Sequence, residues 1–265
     1  MASTSKKINF IIKKENLPEF VSKLEDLTKI SDMIKFKIDK DDILVYSLVG
    51  ETSILAFKNY IFTTQDFLSF KEDFEYTLDY IIMNAKKFVK NMRFFTDDVK
   101  MTLTYRQSPT EKVMYVRSMS ASDGRFKMSN VGAEPYKVRD IDKHSLKKLL
   151  DPKSSEWSFQ ISDMDFKDVK KLSGINGDDK IITISTNNGS LHFGEIGAWD
   201  LKVGDINETQ NDITFPKKYL SSINNTIDTI NFSVFETFLL FKEENTNLMV
   251  SFEQNFEDDD DDEEY

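Results

Sequence analysis

The chain contains no cysteine. That excludes a disulfide framework, a thiolate metal site and a cysteine nucleophile, and it fits a reducing compartment. Only two histidines occur, His144 and His192, and neither has a second histidine at ligand spacing, so a histidine-based metal site is not expected. Nine glycines and five prolines leave little room for long flexible linkers. No glycine-rich phosphate loop follows a strand, and no serine-centred nucleophile elbow occurs. No apolar run approaches the roughly 20 residues needed to cross a bilayer. The opening MASTSKKINF lacks the apolar core of a signal peptide. The expectation is a soluble intracellular protein, not an enzyme, with no cofactor, no metal and no membrane partner.

What is present is a large supply of core-forming residues. Hydrophobic side chains make up 39% of the 265 residues and aromatics 12%, enough for one large domain or two of ordinary size. Acidic residues outnumber basic ones 46 to 35, a formal charge of −11. Paired carboxylates therefore carry no information about catalysis here. The stretch FEDDDDDEEY, residues 256–265, is a block of like charge and is expected to be a disordered acidic tail.

Four segments have helical spacing. LPEFVSKLEDLTKI (17–30) places Leu17, Phe20, Val21, Leu24 and Leu27 on one stripe, with Pro18 in its first turn. NAKKFVKNMRFF (84–95) does the same with Ala85, Phe88, Val89, Met92 and Phe95. DMDFKDVKKLSGI (163–175) opens on an aspartate suited to an N-cap and offers Met164, Phe166, Val169 and Leu172. PKKYLSSINNTI (216–227) has proline at its first turn and a stripe of Leu220, Ile223 and Ile227. The remaining apolar segments alternate with period two and read as strands, and NNGS (187–190) reads as a tight hairpin turn.

The order of elements says more than any one of them. Each helix follows one strand and precedes a run of short strands, and this unit occurs four times, two in each half. The halves are 1–129 and 155–255. Between them, 130–154 reads as a connector with a helical turn near Ser145–Leu150.

Positive charge gathers on the helices of this acidic chain. At about 100° per residue, Lys86, Lys90 and Arg93 share one narrow face with Lys87 at its margin, away from the apolar stripe. On the third helix Lys167, Lys170 and Lys171 do the same. The fourth opens with Lys217 and Lys218. Around the first lie Lys13 and Lys14, on the preceding strand, and Lys23 and Lys29, among Glu19, Glu25 and Asp26. Lysines solvate any amphipathic helix, so one such face carries nothing. Recurrence at equivalent places of a repeat points to a surface for phosphate backbones, which carry no sequence information.

The pattern resembles a DNA polymerase sliding clamp of the PCNA type. EWSFQISDMDFKDVKKLSGINGDDKIITISTNNGSLHFGE is similar to the start of the second domain of such clamps, and DDILVYSLVGETSILAF resembles the corresponding first-domain hairpin. TNLMVSFEQNFEDDDDDEEY is similar to their closing strand and acidic terminus. The connector and HSLKKLL depart from the eukaryotic pattern, a divergence that a phage or other viral clamp would accommodate.

The resemblance implies an α+β fold of two clamp domains, with helices on the inner face and antiparallel sheets outside. It implies a six-domain ring, here three copies, closed head-to-tail around duplex DNA. By position, Phe126 and Met128 of one copy would meet Trp199, Leu201 and Val203 of the next. The twelve cations Lys13, Lys14, Lys23, Lys86, Lys87, Lys90, Arg93, Lys167, Lys170, Lys171, Lys217 and Lys218 would face DNA without reading its sequence. A DNA polymerase and a clamp loader would insert peptides into a pocket near Val49, Val131, Pro135, Tyr136 and Phe252. The competing readings are a repeat-built viral assembly protein with no DNA role and a monomeric processivity subunit. The site of action would be that of DNA replication, the host cytoplasm if the chain is a phage's.

Overall fold

A computed structural model describes residues 6–39, 42–50, 55–63, 68–70, 77–107, 113–131, 138–141, 144, 146, 148, 151–175, 180–223, 228–243 and 246–252. The acidic segment 256–265, Pro135, Tyr136 and most of the expected connector lie outside these residues.

Among the described residues seventeen strands and three complete α-helices follow the four-unit plan. Unit 1 is β1 (Lys6–Ile12), α1 (Leu17–Leu27), β2 (Met33–Ile38), β3 (Asp42–Val49) and β4 (Ala56–Thr63), followed by a short β5 (Leu68–Phe70). Unit 2 is β6 (Thr77–Met83), α2 (Ala85–Met92), β7 (Val99–Gln107), β8 (Val113–Ser122) and β9 (Lys127–Val131). Unit 3 is β10 (Trp157–Ser162), α3 (Asp163–Ile175), β11 (Ile181–Asn187), β12 (Ser190–Glu195) and β13 (Trp199–Asp205). Unit 4 is β14 (Ile213–Pro216), a 3-10 turn (Lys217–Ser222), β15 (Thr229–Val234), β16 (Phe238–Glu243) and β17 (Thr246–Ser251).

Units exchange their first strands in pairs. β1 joins β7 and β6 joins β2 in the first half; β10 joins β15 and β14 joins β11 in the second. The exchange makes each half a closed structural partnership. The two halves then meet through β17 and β4, which pair antiparallel from Thr246 opposite Tyr60 to Val250 opposite Ala56. This seam makes one sheet of thirteen strands; a second sheet holds β13, β12, β11 and β14. The pairings are antiparallel except for a three-residue parallel contact of β6 with β8.

Local chemistry explains the helix ends. α2 starts after Asn84 in the left-handed region (φ 57°), a conformation asparagine tolerates. Asp32 satisfies its first donors, taking the Ala85 N–H on its carbonyl and the Lys86 N–H on Oδ1. α3 is capped by Ser162 and not by the expected Asp163. The Ser162 Oγ accepts the Asp165 N–H at 3.1 Å and donates to the Asp165 carboxylate, a reciprocal cap.

The fourth helical segment corrects the expectation of an α-helix. It stops after six residues as a 3-10 turn, with Ile223 already extended. Ser221 turns its hydroxyl back onto the Lys218 carbonyl, a local bond that competes with helix propagation, and the following NNT has low helix propensity.

Each half encloses an apolar core under its helical elements. The first gathers Phe20, Leu24, Phe88 and Met92 with alternate strand residues such as Ile43 and Val45. The second gathers Phe166, Val169, Leu220 and Phe232. It also takes in Ile30 and Ala56 from the first half. A third cluster lies on the opposite face of the sheet, where Leu44, Tyr46, Leu48, Phe57, Leu240 and Met249 meet Val138, Ile141 and Leu146. β3 is thus buried on both faces, which is why its sequence reads as an apolar run without alternation. His144, Leu146 and Lys148 are helical. Among the described residues no helix is long and apolar enough to cross a membrane.

Close approach of backbone fixes one glycine. A Cβ on Gly194 would sit 2.7 Å from the Trp199 carbonyl oxygen. Gly194→Ala is therefore expected to destabilise the protein by about 1–3 kcal/mol through overpacking, read as a lower urea midpoint with unchanged slope.

Candidate nucleic-acid interface

The helical elements form one row. Arg93 of the α2 end ion-pairs with Glu25 of α1. The Lys29 Nζ, just past α1, donates to the Ser221 carbonyl of the 3-10 turn at 3.0 Å. Lys170 of α3 donates to the Ile223 carbonyl at 2.5 Å. The order across the row is α2, α1, 3-10 turn, α3. All four turn their apolar sides to the cores, which leaves their polar sides on one common surface.

The expected cations divide by what they touch. Lys86, Lys87 and Lys90 on α2 are exposed and ion-pair with no described residue. Lys13 and Lys171 are exposed, as is Lys218, whose Nζ lies 4.9 Å from the Tyr219 ring centroid. Lys14 is exposed and opens a 3-10 turn, where its N–H donates to Asp98; it does not continue β1 as expected. Arg93 is committed to Glu25, Lys167 to Asp163 and Lys23 to Glu19, exposed pairs of small energetic worth.

Two positions are turned inward. Lys217 lies 2.8 Å from the carboxylate of buried Glu195. Lys170 is half-buried, and burial, with Lys29 and Lys58 nearby, pulls its amine down to about 8. Both expected phosphate contacts thus serve the second half's own packing, because each sits on the side of its element that faces a neighbouring element.

Sequence reasoning missed the charged cluster at the seam. Lys58 on β4 is fully buried. It ion-pairs with Asp26 and donates to the Ser222 carbonyl. Asp26 also receives the Tyr60 hydroxyl at 2.5 Å and lies 2.9 Å from Lys29. Burial pushes the Asp26 carboxyl up, but Lys58, Tyr60 and Lys29 outweigh it and hold the carboxyl below its ordinary range. Lys29, Lys58 and Lys170 therefore cap three successive carbonyls, Ser221 to Ile223. The signal was present: Lys58 shares the phase of inward-facing Ala56 and Tyr60.

A second missed cluster holds the connector to the outer face. The Nζ of buried Lys35 lies 3.2 Å from Asp79 and 2.7 Å from Asp140. Lys37 reaches Asp140 at 2.9 Å. The Tyr46 hydroxyl donates to the Arg139 carbonyl and accepts the Ile141 N–H. Burial raises the Asp79 carboxyl against the pull of Lys35 and Lys37.

The expected partner pocket is described only in part, since Pro135 and Tyr136 lie outside the described residues. Val49 and Phe252 pack against the second-half core, whereas the connector covers Leu44, Tyr46 and Leu48. Neighbouring strand residues point to opposite faces, so a one-residue offset selects the wrong side. Val131 ends β9.

Of the expected edge residues, Met128, Trp199, Leu201 and Val203 lie on strands with one described partner each, and Phe126 directly precedes β9. β9 is bonded to β8 and β13 to β12. Met128 and Val203 are buried in their own cores. Phe126 packs against the first core, Trp199 and Leu201 against the second. His192 lies 2.9 Å from Asp200, and no metal-ligating cluster occurs among the described residues.

No protein-family model matches the sequence, and no curated protein does. Solved structures do match. The DNA polymerase III beta chain of Streptococcus pneumoniae superposes with a TM-score of 0.64 at 13% identity, covering 95% of this chain and 66% of that one. The DnaN sliding clamp of Pseudomonas aeruginosa, solved with griselimycin, gives 0.61 at 10%, covering 96% and 67%. A PCNA2–PCNA3 complex from Sulfolobus tokodaii gives 0.58 at 11%, covering 93% and 99%. The chain thus spans about two thirds of the bacterial clamps it matches and nearly all of the archaeal one. It has the sliding-clamp fold.

Proposed function

We propose that the chain is a sliding clamp: copies close a ring around duplex DNA and tether a DNA polymerase for processive synthesis, without catalysing a reaction. One observation carries the reading. β4 and β17 are the closing strands of units 1 and 4, and they join within the chain. β9 and β13 are the closing strands of units 2 and 3, and among the described residues each is paired on one side only. Joining β9 of one copy to β13 of the next repeats the internal seam and extends the helix row, a head-to-tail contact that closes if rotation permits. With two domains per chain, a six-domain ring takes three copies.

The lysines of the row would then meet phosphates. Exchangeable ionic contacts allow sliding, whereas base readout would pin the ring. A polymerase and a clamp loader are the partners this mechanism requires, and the outer face under the connector is the surface they would use.

Light scattering after gel filtration, over a range of protein and salt concentrations, tests the ring. The expected mass is three times 30.8 kDa. A single-chain mass at every concentration would sink the self-closing ring.

A further inference from the structure

The four-unit repeat shows what should cross the copy–copy junction on the helix side. In the first half, Glu25 of α1 meets Arg93 at the α2 end, and the Thr28 hydroxyl bonds back to the Glu25 carbonyl. In the second, Lys170 of α3 meets Ile223 after the 3-10 turn, and the Ser173 hydroxyl bonds back to the Lys170 carbonyl. Glu25 therefore corresponds to Lys170 and Thr28 to Ser173. The same offset carries Ile30 onto Ile175.

These two isoleucines differ in one respect. Ile30 is 7% exposed and belongs to the core of the second half, across the seam. Ile175 is 69% exposed. The hairpins agree with this correspondence. Ala56 is the first β4 residue paired to β3, and Trp199 the first β13 residue paired to β12. Ala56, like Ile30, is buried in the second-half core. Where the seam is made, then, an isoleucine and the first strand residue pass into the neighbouring half.

The corresponding receptor is at the end of α2. Arg93 occupies the place of Ile223, and Phe94 next to it is 61% exposed. The Phe94 ring packs at a tilt, centroids 5.7 Å apart, against Phe126, which directly precedes the one-sided edge β9. This exposed aromatic thus stands beside a strand edge with no described partner on its outer side, the kind of edge that can pair with another chain.

We propose that Ile175 of one copy packs on Phe94 and Phe126 of a second copy, as Ile30 packs across the seam within the chain. The contact rests on the ring reading and adds to it a plug and a receptor on the helix side. It differs in kind from the internal seam, which is fastened there by Lys29, Lys58 and Asp26.

The cysteine-free chain makes the test clean. A Phe94→Cys, Ile175→Cys double variant is compared with each single variant, under oxidation and with a short bis-maleimide. The double variant is expected to yield covalent species up to three chains, and each single variant none, because the pairing is heterologous. Ile175→Ser is expected to weaken self-association roughly ten- to a hundredfold with unfolding unchanged, since the side chain is exposed in one copy. Oligomers by light scattering with no cross-link in the double variant would overturn the plug and leave the ring. A wild-type protein that stays a single chain would overturn both. Cross-linked pairs from a single variant would show an isologous contact and overturn the plug.

Discussion

Asp26→Ala is expected to lower the unfolding free energy by about 3–5 kcal/mol, the range for removing one partner of a buried ion pair. The substitution leaves Lys58, fully buried in β4, without its carboxylate, and takes away the acceptor of the Tyr60 hydroxyl. The Ser222 carbonyl remains for Lys58 but cannot neutralise it. Asp26→Ala combined with Lys58→Met should recover much of the loss, because an apolar pair of similar volume needs no desolvation. Urea unfolding of the two variants beside wild type decides the point, and an Asp26→Ala midpoint equal to wild type would refute it.

The pH dependence has a definite sign. Because the folded Asp26 carboxyl titrates below its unfolded value, its contribution is fully present above the unfolded pKa of about 3.9. It is lost as pH falls through the folded value. Asp26→Ala should lack this component of acid destabilisation.

The second large effect concerns DNA. Lys86→Ala, Lys87→Ala and Lys90→Ala together should reduce the salt dependence of duplex binding by about 2.7 in log–log slope, if each lysine meets a phosphate at about 0.9 apiece. Arg93 is left in place because its removal would strand Glu25 and confound the charge count. The three side chains are exposed and alanine favours helix, so stability should hold. Anisotropy titrations across salt, with polymerase processivity alongside, read the result. An unchanged slope and unchanged processivity would remove α2 from the DNA surface.

Much of the architecture was legible because burial and period agree. β7 matches its sequence run since Val99, Met101, Leu103 and Tyr105 alternate inward. β4, Ala56–Thr63, is harder to read. Lys58 and Asn59 break its apolar run, and their side chains bond to distant residues: Asp26 and Ser222 for one, Asn247 for the other. The three-residue β5 carries too little pattern to be seen. The site was legible as a set of helices with basic faces. Which lysines those faces spend internally was not, since Lys170 and Lys217 are claimed by Ile223 and Glu195, contacts that exist only once the halves are folded. Val49 packs toward the second-half core because it stands one strand residue from Leu48, which faces the other side.

The connector's attachment has a consequence for how it can come away. Lys35 is held between two carboxylates, Asp79 from β6 and Asp140 from the connector. Among the described residues the Oδ1 of Asp79 has no hydrogen-bond partner while the connector is seated. If Asp140 withdraws, Lys35 keeps a counter-ion in the sheet itself, with acceptor capacity in hand, and Lys37 turns to water. Undocking therefore strands no buried ammonium. The ion-pair cost of peeling the connector is decoupled from the cost of unfolding the body; among the described residues what resists it is the apolar contact of Val138, Ile141 and Leu146 and the Tyr46 hydroxyl's bonds to Arg139 and Ile141.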